Sequence, residues 1–209
     1  DGDAGRYVVP AYTTDKLLIL TDQGRCHTVG ADRLPSGRGF GEPLSLTVEL
    51  AAGAKVIAVF VAQKDGRRLL AANDGRGFVC PEVEMISNQK AGKQVLNPGK
   101  GAVASVAYAI KPNHDAVAVV GENKKLLMFP LAELPEMSKG RGVKLQHFAK
   151  GGMSDVKTFT RADGLTWAWG QDKTRTFTEF DEIEGARASA GKQAPAGFPK
   201  NGLFGSEND

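Results

Sequence analysis

Leu69-Leu70-Ala71-Ala72-Asn73-Asp74-Gly75-Arg76-Gly77-Phe78-Val79-Cys80 sets two apolar runs on either side of a polar turn. Asn, Asp and Gly tolerate the left-handed backbone of a tight turn, and the flanking runs are strand-sized, so the stretch reads as a β-hairpin. The arrangement recurs at Thr21-Asp22-Gln23-Gly24, Gly121-Glu122-Asn123-Lys124 and Gly170-Gln171-Asp172-Lys173. Counted from Gly24, Gly75, Lys124 and Lys173, the spacings are 51, 49 and 49 residues.

Two further elements keep that beat. Gly41, Gly92, Gly142 and Gly191 are 51, 50 and 49 residues apart, and each sits in a small, basic, glycine-rich loop. A third apolar run closes each of the first three units, at 55–61, 103–110 and 156–160. Tyr7 to Tyr12 fits that closing element with no unit before it. The chain is therefore expected to be a piece of a longer protein, with residues 1–14 closing a preceding unit and neighbouring units exchanging strands. The units are expected at 15–64, 65–112, 113–162 and 163–204, with 205–209 as a frayed tail. A period near 50 with about four strands per unit predicts an all-β fold, a propeller-like ring of four-stranded blades. One such blade cannot cover both of its faces, and radial stacking does so while leaving only short edges.

Composition agrees. Of 209 residues 26 are glycine, against a usual ~7%, as expected for many tight turns. Hydrophobic residues at 41% and a net charge of +3 exclude wholesale disorder. No apolar run approaches the ~20 residues that cross a bilayer as a helix. Two cysteines, Cys26 and Cys80, are too few for a disulfide framework and read as small buried hydrophobes in a reducing compartment. With three histidines on different repeats, neither a zinc site nor a hydrolase triad is expected. Gly37-Arg38-Gly39-Phe40-Gly41 lacks the spacing and the following helix of a nucleotide phosphate loop. Trp167 and Trp169 alternate with small residues along a strand and are expected in the core, with base stacking as the minor alternative.

Several blocks in order resemble the C-terminal domain of the bacterial topoisomerase IV A subunit. They are Leu34-Pro35-Ser36-Gly37-Arg38-Gly39-Phe40-Gly41-Glu42-Pro43-Leu44, Asp74-Gly75-Arg76-Gly77-Phe78-Val79-Cys80, Asn88-Gln89-Lys90-Ala91-Gly92-Lys93, and Leu126-Leu127-Met128-Phe129-Pro130 with Ser138-Lys139-Gly140-Arg141-Gly142. The resemblance implies a β-pinwheel, related to that of the gyrase A protein, whose blades are completed by exchange with a neighbour. It implies a non-catalytic domain that binds and bends DNA without sequence specificity and presents it to the catalytic core for strand passage, decatenation and supercoil relaxation. The strongly basic box of the gyrase A protein is absent, which favours weak bending over full wrapping. Family members often carry five blades, whereas four are visible here. The parent enzyme is expected to use ATP and magnesium, whereas this segment needs no cofactor or metal. Its implied partners are double-stranded DNA, chromosome-organising or inhibitory proteins, the ATPase B subunit, plus the second A subunit, in a cytoplasmic, chromosome-associated setting. Arg6-Tyr7 is reminiscent of the family's catalytic pair, but Tyr7 stands in a Val-Val strand and is expected in the core.

DNA binding begins with Lys and Arg displacing counterions from phosphates. Residues 65–112 carry 7 basic and 4 acidic groups and 113–162 carry 8 and 5, each net +3, while 15–64 is net +1 and 163–204 net −1. The main contacts are therefore expected at Lys90, Lys93, Lys139, Arg141 and Lys144, with Arg38 and Lys192 extending the track more weakly. No recognition helix for base edges is evident. The competing readings are solvated surface charge and a propeller that docks proteins without binding DNA, since fold alone does not decide function.

Overall fold

The computed structural model describes residues 6–35, 37, 41–170 and 173–205. Among them the only α-helix is a single turn, α1 (Glu82–Met85). The remaining regular structure is β-strand and short 3-10 turns. The first sheet contains β1 (Lys16–Thr21), β2 (Arg25–Gly30) and β3 (Val56–Val61). The second contains β4 (Arg67–Ala72), β5 (Arg76–Pro81) and, after the two-residue β6 (Lys93–Gln94), β7 (Ala104–Ile110). The third contains β8 (Ala116–Gly121), β9 (Lys125–Pro130) and, after β10 (Val143–Lys144), β11 (Met153–Phe159). The fourth is the pair β12 (Leu165–Ala168) and β13 (Thr174–Phe177), followed by β14 (Lys192–Gln193).

Strand order shows how these units interlock. The sheets run β3-β1-β2-β6, β7-β4-β5-β10 and β11-β8-β9-β14, all antiparallel, with β12-β13 as a two-stranded sheet. The fourth strand of each complete sheet thus comes from the next repeat. Each exchanged strand is only two residues long and directly follows one of the beating glycines. The stretch expected to be an exchanged strand, Tyr7 to Tyr12, is not one. Among the described residues it has no ladder partner, with Val8 91% and Tyr12 81% exposed, and Pro10 lacks the N–H a ladder needs. Tyr7 is also outside the core: it is partly exposed, and its hydroxyl donates to the Val56 carbonyl.

The first three hairpins are buried on both faces, which is why their strands read as continuous apolar runs. Leu70 and Ala72 pack with Leu18, Leu20 and Phe60 of the first sheet. Leu69 and Ala71 pack the other way, with Val117, Val119 and Leu127 of the third. Ala118, Val120 and Leu126 then meet Trp167, Phe177 and Phe180 of the fourth. Burying each such Leu, Val or Phe contributes about 1.5–3 kcal/mol. Cys26 and Cys80 both lie in the core between the first two sheets. Burial pushes each thiol up to about 12. Neither should react with a maleimide at pH 8 in the native protein, and both should react once it is unfolded in urea. Fast labelling without unfolding would contradict this packing.

The fourth hairpin carries a register surprise. Leu20 faces Cys26, Ala71 faces Gly77 and Val120 faces Leu126 across their turns, and Ala168 faces Thr174. Thr174, not Arg175, therefore stands where Leu126 stands, and the fourth repeat is offset by one residue from the spacing counted at Lys173. Trp169 then occupies the place of Thr21, Ala72 and Gly121. Trp167 is in the core as expected, at 1% exposed, but Trp169 is 54% exposed. Its neighbours Ala168, Gly170, Lys173 and Thr174 are exposed as well, and among the described residues β13 has no exchanged strand on its outer edge.

Candidate nucleic-acid interface

The basic loops are held by a repeated local device. Gly92, Gly142 and Gly191 have φ of +72°, +76° and +72°, a region open to glycine and strained for other residues. A Cβ on each would come within 2.6 Å of the Cys26 carbonyl oxygen, 2.2 Å of that of Gly77 and 2.7 Å of that of Leu126. The glycine lets the loop backbone close onto the second hairpin strand of the preceding sheet. Three residues later an N–H completes the contact: Val95 donates to the Gly24 carbonyl (3.0 Å), Leu145 to Gly75 (2.8 Å) and Ala194 to Lys124 (3.0 Å). Lys124 holds φ +61°, the backbone that Gly24 and Gly75 hold in their turns.

Successive loops also touch one another. The Glu49 N–H donates to the Lys90 carbonyl (3.1 Å), Asn97 to Gly140 (2.8 Å) and His147 to Ser189 (2.9 Å). β7 lies against both β3 and β11, so the closing strands form the inner edges and the basic loops the outer ones. A continuous band of loops thus follows the outer edges of the first three sheets.

The expected site residues sit on this band in different states. Lys90, Lys139 and Lys144 are exposed. The Lys90 carbonyl lies 3.1 Å from Nδ1 of the buried His27, which anchors that loop to β2. The Lys93 ammonium donates to the Glu84 carbonyl at 2.6 Å and lies 4.0 Å from the Glu84 carboxylate. Arg141 donates to Asp74 at 3.0 Å, which partly neutralises it. Lys192 is exposed and donates to the Asp181 carbonyl at 3.0 Å. Arg38 lies outside the described residues. An open groove of about 810 Å³ brings Lys93 and Lys139 together, from consecutive repeats, with Arg25 and the polar side chains of Asn88 and Gln89. Lys144 and Lys192 do not line it.

Three further cations escaped the sequence reading. Arg25 donates Nε to the Ala91 carbonyl (2.9 Å) and lines the groove. Lys100 and Lys150 are exposed in the turns that lead into β7 and β11, each just before a glycine of positive φ, Gly101 (+76°) and Gly151 (+73°). The Lys100 turn abuts Arg141, since a Cβ on Gly99 would lie 2.5 Å from its Nη2. Gly53, Gly101, Gly151 and Gly202 are spaced by 48, 50 and 51 residues, a fourth beat that would have exposed these lysines.

The three histidines are dispersed: His27 is buried, His114 pairs through Nδ1 with the Thr158 hydroxyl (2.7 Å), and His147 is exposed. Among the described residues no group of three or more His, Cys, Asp or Glu is placed to hold a metal ion, and no helix is long and apolar enough to cross a membrane.

No family model matches the chain. It is 45% identical to the DNA topoisomerase 4 A subunit of Caulobacter vibrioides over 98% of its own length and 26% of that protein. It is 40% identical to the Rickettsia bellii counterpart over 98% of its length and 27% of that protein. The chain therefore spans about a quarter of the curated relatives it matches. Among solved structures, the E. coli ParC C-terminal domain superposes with a TM-score of 0.80 at 25% identity, covering 91% of this chain and 80% of that one. Near-complete coverage by these relatives, and a shared architecture of serial β-sheets, place the chain in the family of C-terminal β-pinwheel domains of the topoisomerase IV A subunit.

Proposed function

We propose that this segment binds duplex DNA along its band of glycine-anchored loops, without sequence specificity, and bends it so that the parent topoisomerase can pass, decatenate and relax strands. The observation that carries this is the placing of Lys93 and Lys139, one from each of two consecutive repeats, in one open groove at the outer edge. Lys90 and Lys144 extend positive charge along that edge, and the Lys100 turn abuts it beside Arg141. Exposed cations supported by polar loops suit phosphates, and a basic edge built of loops, with no helix to enter a groove among the described residues, suits sequence-independent binding. Smoothly bending 20–30 bp by 40–90° costs roughly 1–6 kcal/mol, which a few phosphate contacts offset for a gentle bend. Catalysis, with ATP and magnesium, belongs in this reading to the rest of the enzyme, in which a second copy of the A subunit plus the B subunit complete the assembly.

The test is a salt titration of binding to random-sequence duplex. Replacing Lys139, Arg141 and Lys144 together with Ala should lower the log–log salt slope by roughly two to three units, at about 0.9 per phosphate contact. The expected loss sits toward the lower end because Asp74 already neutralises part of Arg141. The circular dichroism of the variant should be unchanged. A folded variant with an unaltered slope would move the assignment to a protein-docking module.

A further inference from the structure

Trp167 and Trp169 are two residues apart on the same hairpin, yet they meet opposite environments. Trp167 is 1% exposed, against Phe177 and Phe198, whereas Trp169 is 54% exposed. At the equivalent place the other repeats hold small, closed-in residues: Thr21 and Ala72, each 1% exposed, and the buried Gly121. The fourth repeat alone puts a large aromatic there and leaves it in solvent.

Among the described residues, two cations lie beside it. The Arg175 guanidinium lies 5.9 Å from the Trp169 ring centroid and is steadied by a 2.9 Å bond to the Ala196 carbonyl. Lys173 is exposed beside it, and its carbonyl accepts the Trp169 N–H at 2.6 Å, which fixes the base of the turn. Trp169 opens the turn of its hairpin, and the exchanged strands pair with the first residues after such turns, Arg25 and Cys26, Arg76 and Gly77, Lys125 and Leu126. The indole therefore stands at the same end of the sheets as the lysine-bearing strands, one repeat further on.

An exposed indole framed by Arg and Lys matches a ligand that is both flat and anionic. We propose that Trp169 is a base-stacking contact for unpaired nucleotides, giving the domain an affinity for single-stranded DNA that its duplex-binding edge alone does not supply. The inference rests on the DNA-binding reading above and extends it to the repeat with the least favourable net charge, where stacking rather than charge must hold the strand. Base–aromatic stacking is sequence-tolerant, since every base has a π-face.

The chain has only two tryptophans, so the test is direct. Unstructured oligothymidine of about 15 nucleotides, close to the upper site size of a single-strand-binding module, should quench the Trp169 emission and shield it from iodide, while the buried Trp167 does not respond. Trp169→Ala should weaken oligothymidine binding about tenfold, within the range seen for removal of one stacking aromatic, and duplex binding much less. Trp169→Phe should retain most of the affinity, and unchanged Trp167 emission reports that both variants are folded. If labelled oligothymidine binds wild type and Trp169→Ala equally and Trp169 stays open to iodide, the stacking contact is wrong while the DNA-binding reading stands. If neither duplex nor oligothymidine binds, both fall, and the exposed indole becomes a protein-docking contact.

Discussion

Gly142→Val is expected to lower stability by about 2–5 kcal/mol and to release the third basic loop from the second sheet, because backbone strain and steric overlap add. At φ +76° a side chain with a branched Cβ takes on left-handed strain, roughly 1–2 kcal/mol for an ordinary residue. The new Cβ would also stand 2.2 Å from the Gly77 carbonyl oxygen and 2.9 Å from the fully buried Phe78 ring, so backbone must move, at roughly 1–3 kcal/mol. For a domain of this size the sum corresponds to a fall in Tm of roughly 5–15 °C. Lys139, Arg141 and Lys144 ride on that loop, so duplex affinity should fall with it even at temperatures where the variant remains folded. Gly41→Val is the control. Its φ is +78°, yet nothing lies within 4 Å of its Cβ position, so it carries the backbone strain alone. Thermal melts of the two variants, with a duplex titration of each, separate the two costs. Equal Tm losses would mean that close approach of the strands contributes nothing.

That pair of glycines also shows what the sequence makes legible. The beat of Gly41, Gly92, Gly142 and Gly191 is plain to read, and so are the hairpins, because turn residues and doubly buried apolar runs are local properties. The cause of the beat is not local. For Gly92, Gly142 and Gly191 it lies in carbonyls of the preceding repeat, and the strands that follow these three are two residues long, too short to carry any alternation. Tyr7 to Tyr12 looks like an exchanged strand but has no ladder partner and contains Pro10. The true exchanged strands, such as Lys93–Gln94, look like loop. The candidate site divides the same way. One cation per loop is visible in the sequence, whereas the partner that weakens one of them is not: Asp74 reaches Arg141 from 67 residues away. Trp169 shares its strand face with the buried Trp167, so alternation alone does not expose it; it stands at the turn end of β12, beyond the part of the strand that the third sheet covers.

Glu82→Ala is the second large effect expected, about 3–5 kcal/mol, because it breaks a largely buried ion pair. Glu82 is 3% exposed. Its Oε1 accepts from Arg68 Nε at 2.8 Å and its Oε2 from the Gln63 N–H at 2.8 Å. Arg68 in turn stacks over Phe60, 3.5 Å from the ring centroid, and donates to the Ala107 carbonyl at 3.1 Å. The pair therefore ties β4 to the closing strands of the first two sheets. Glu82 also begins α1, the turn that leads into the loop of Lys90 and Lys93. Without the carboxylate, the first and second sheets lose a common anchor. Arg68→Met combined with Glu82→Leu removes both charges and should recover most of the loss, since apolar replacement of a whole buried pair is often neutral or stabilising. The Arg161–Glu184 pair makes the contrast: two 2.8 Å bonds, but on the surface, where solvent screens them. Urea unfolding of Glu82→Ala, the double variant and Glu184→Ala should rank the first far above the other two. If Glu82→Ala and Glu184→Ala cost the same, the buried pair does not fasten the first two sheets together, and the Lys90–Lys93 loop is held by its contacts to β2, through His27, Arg25 and Gly92.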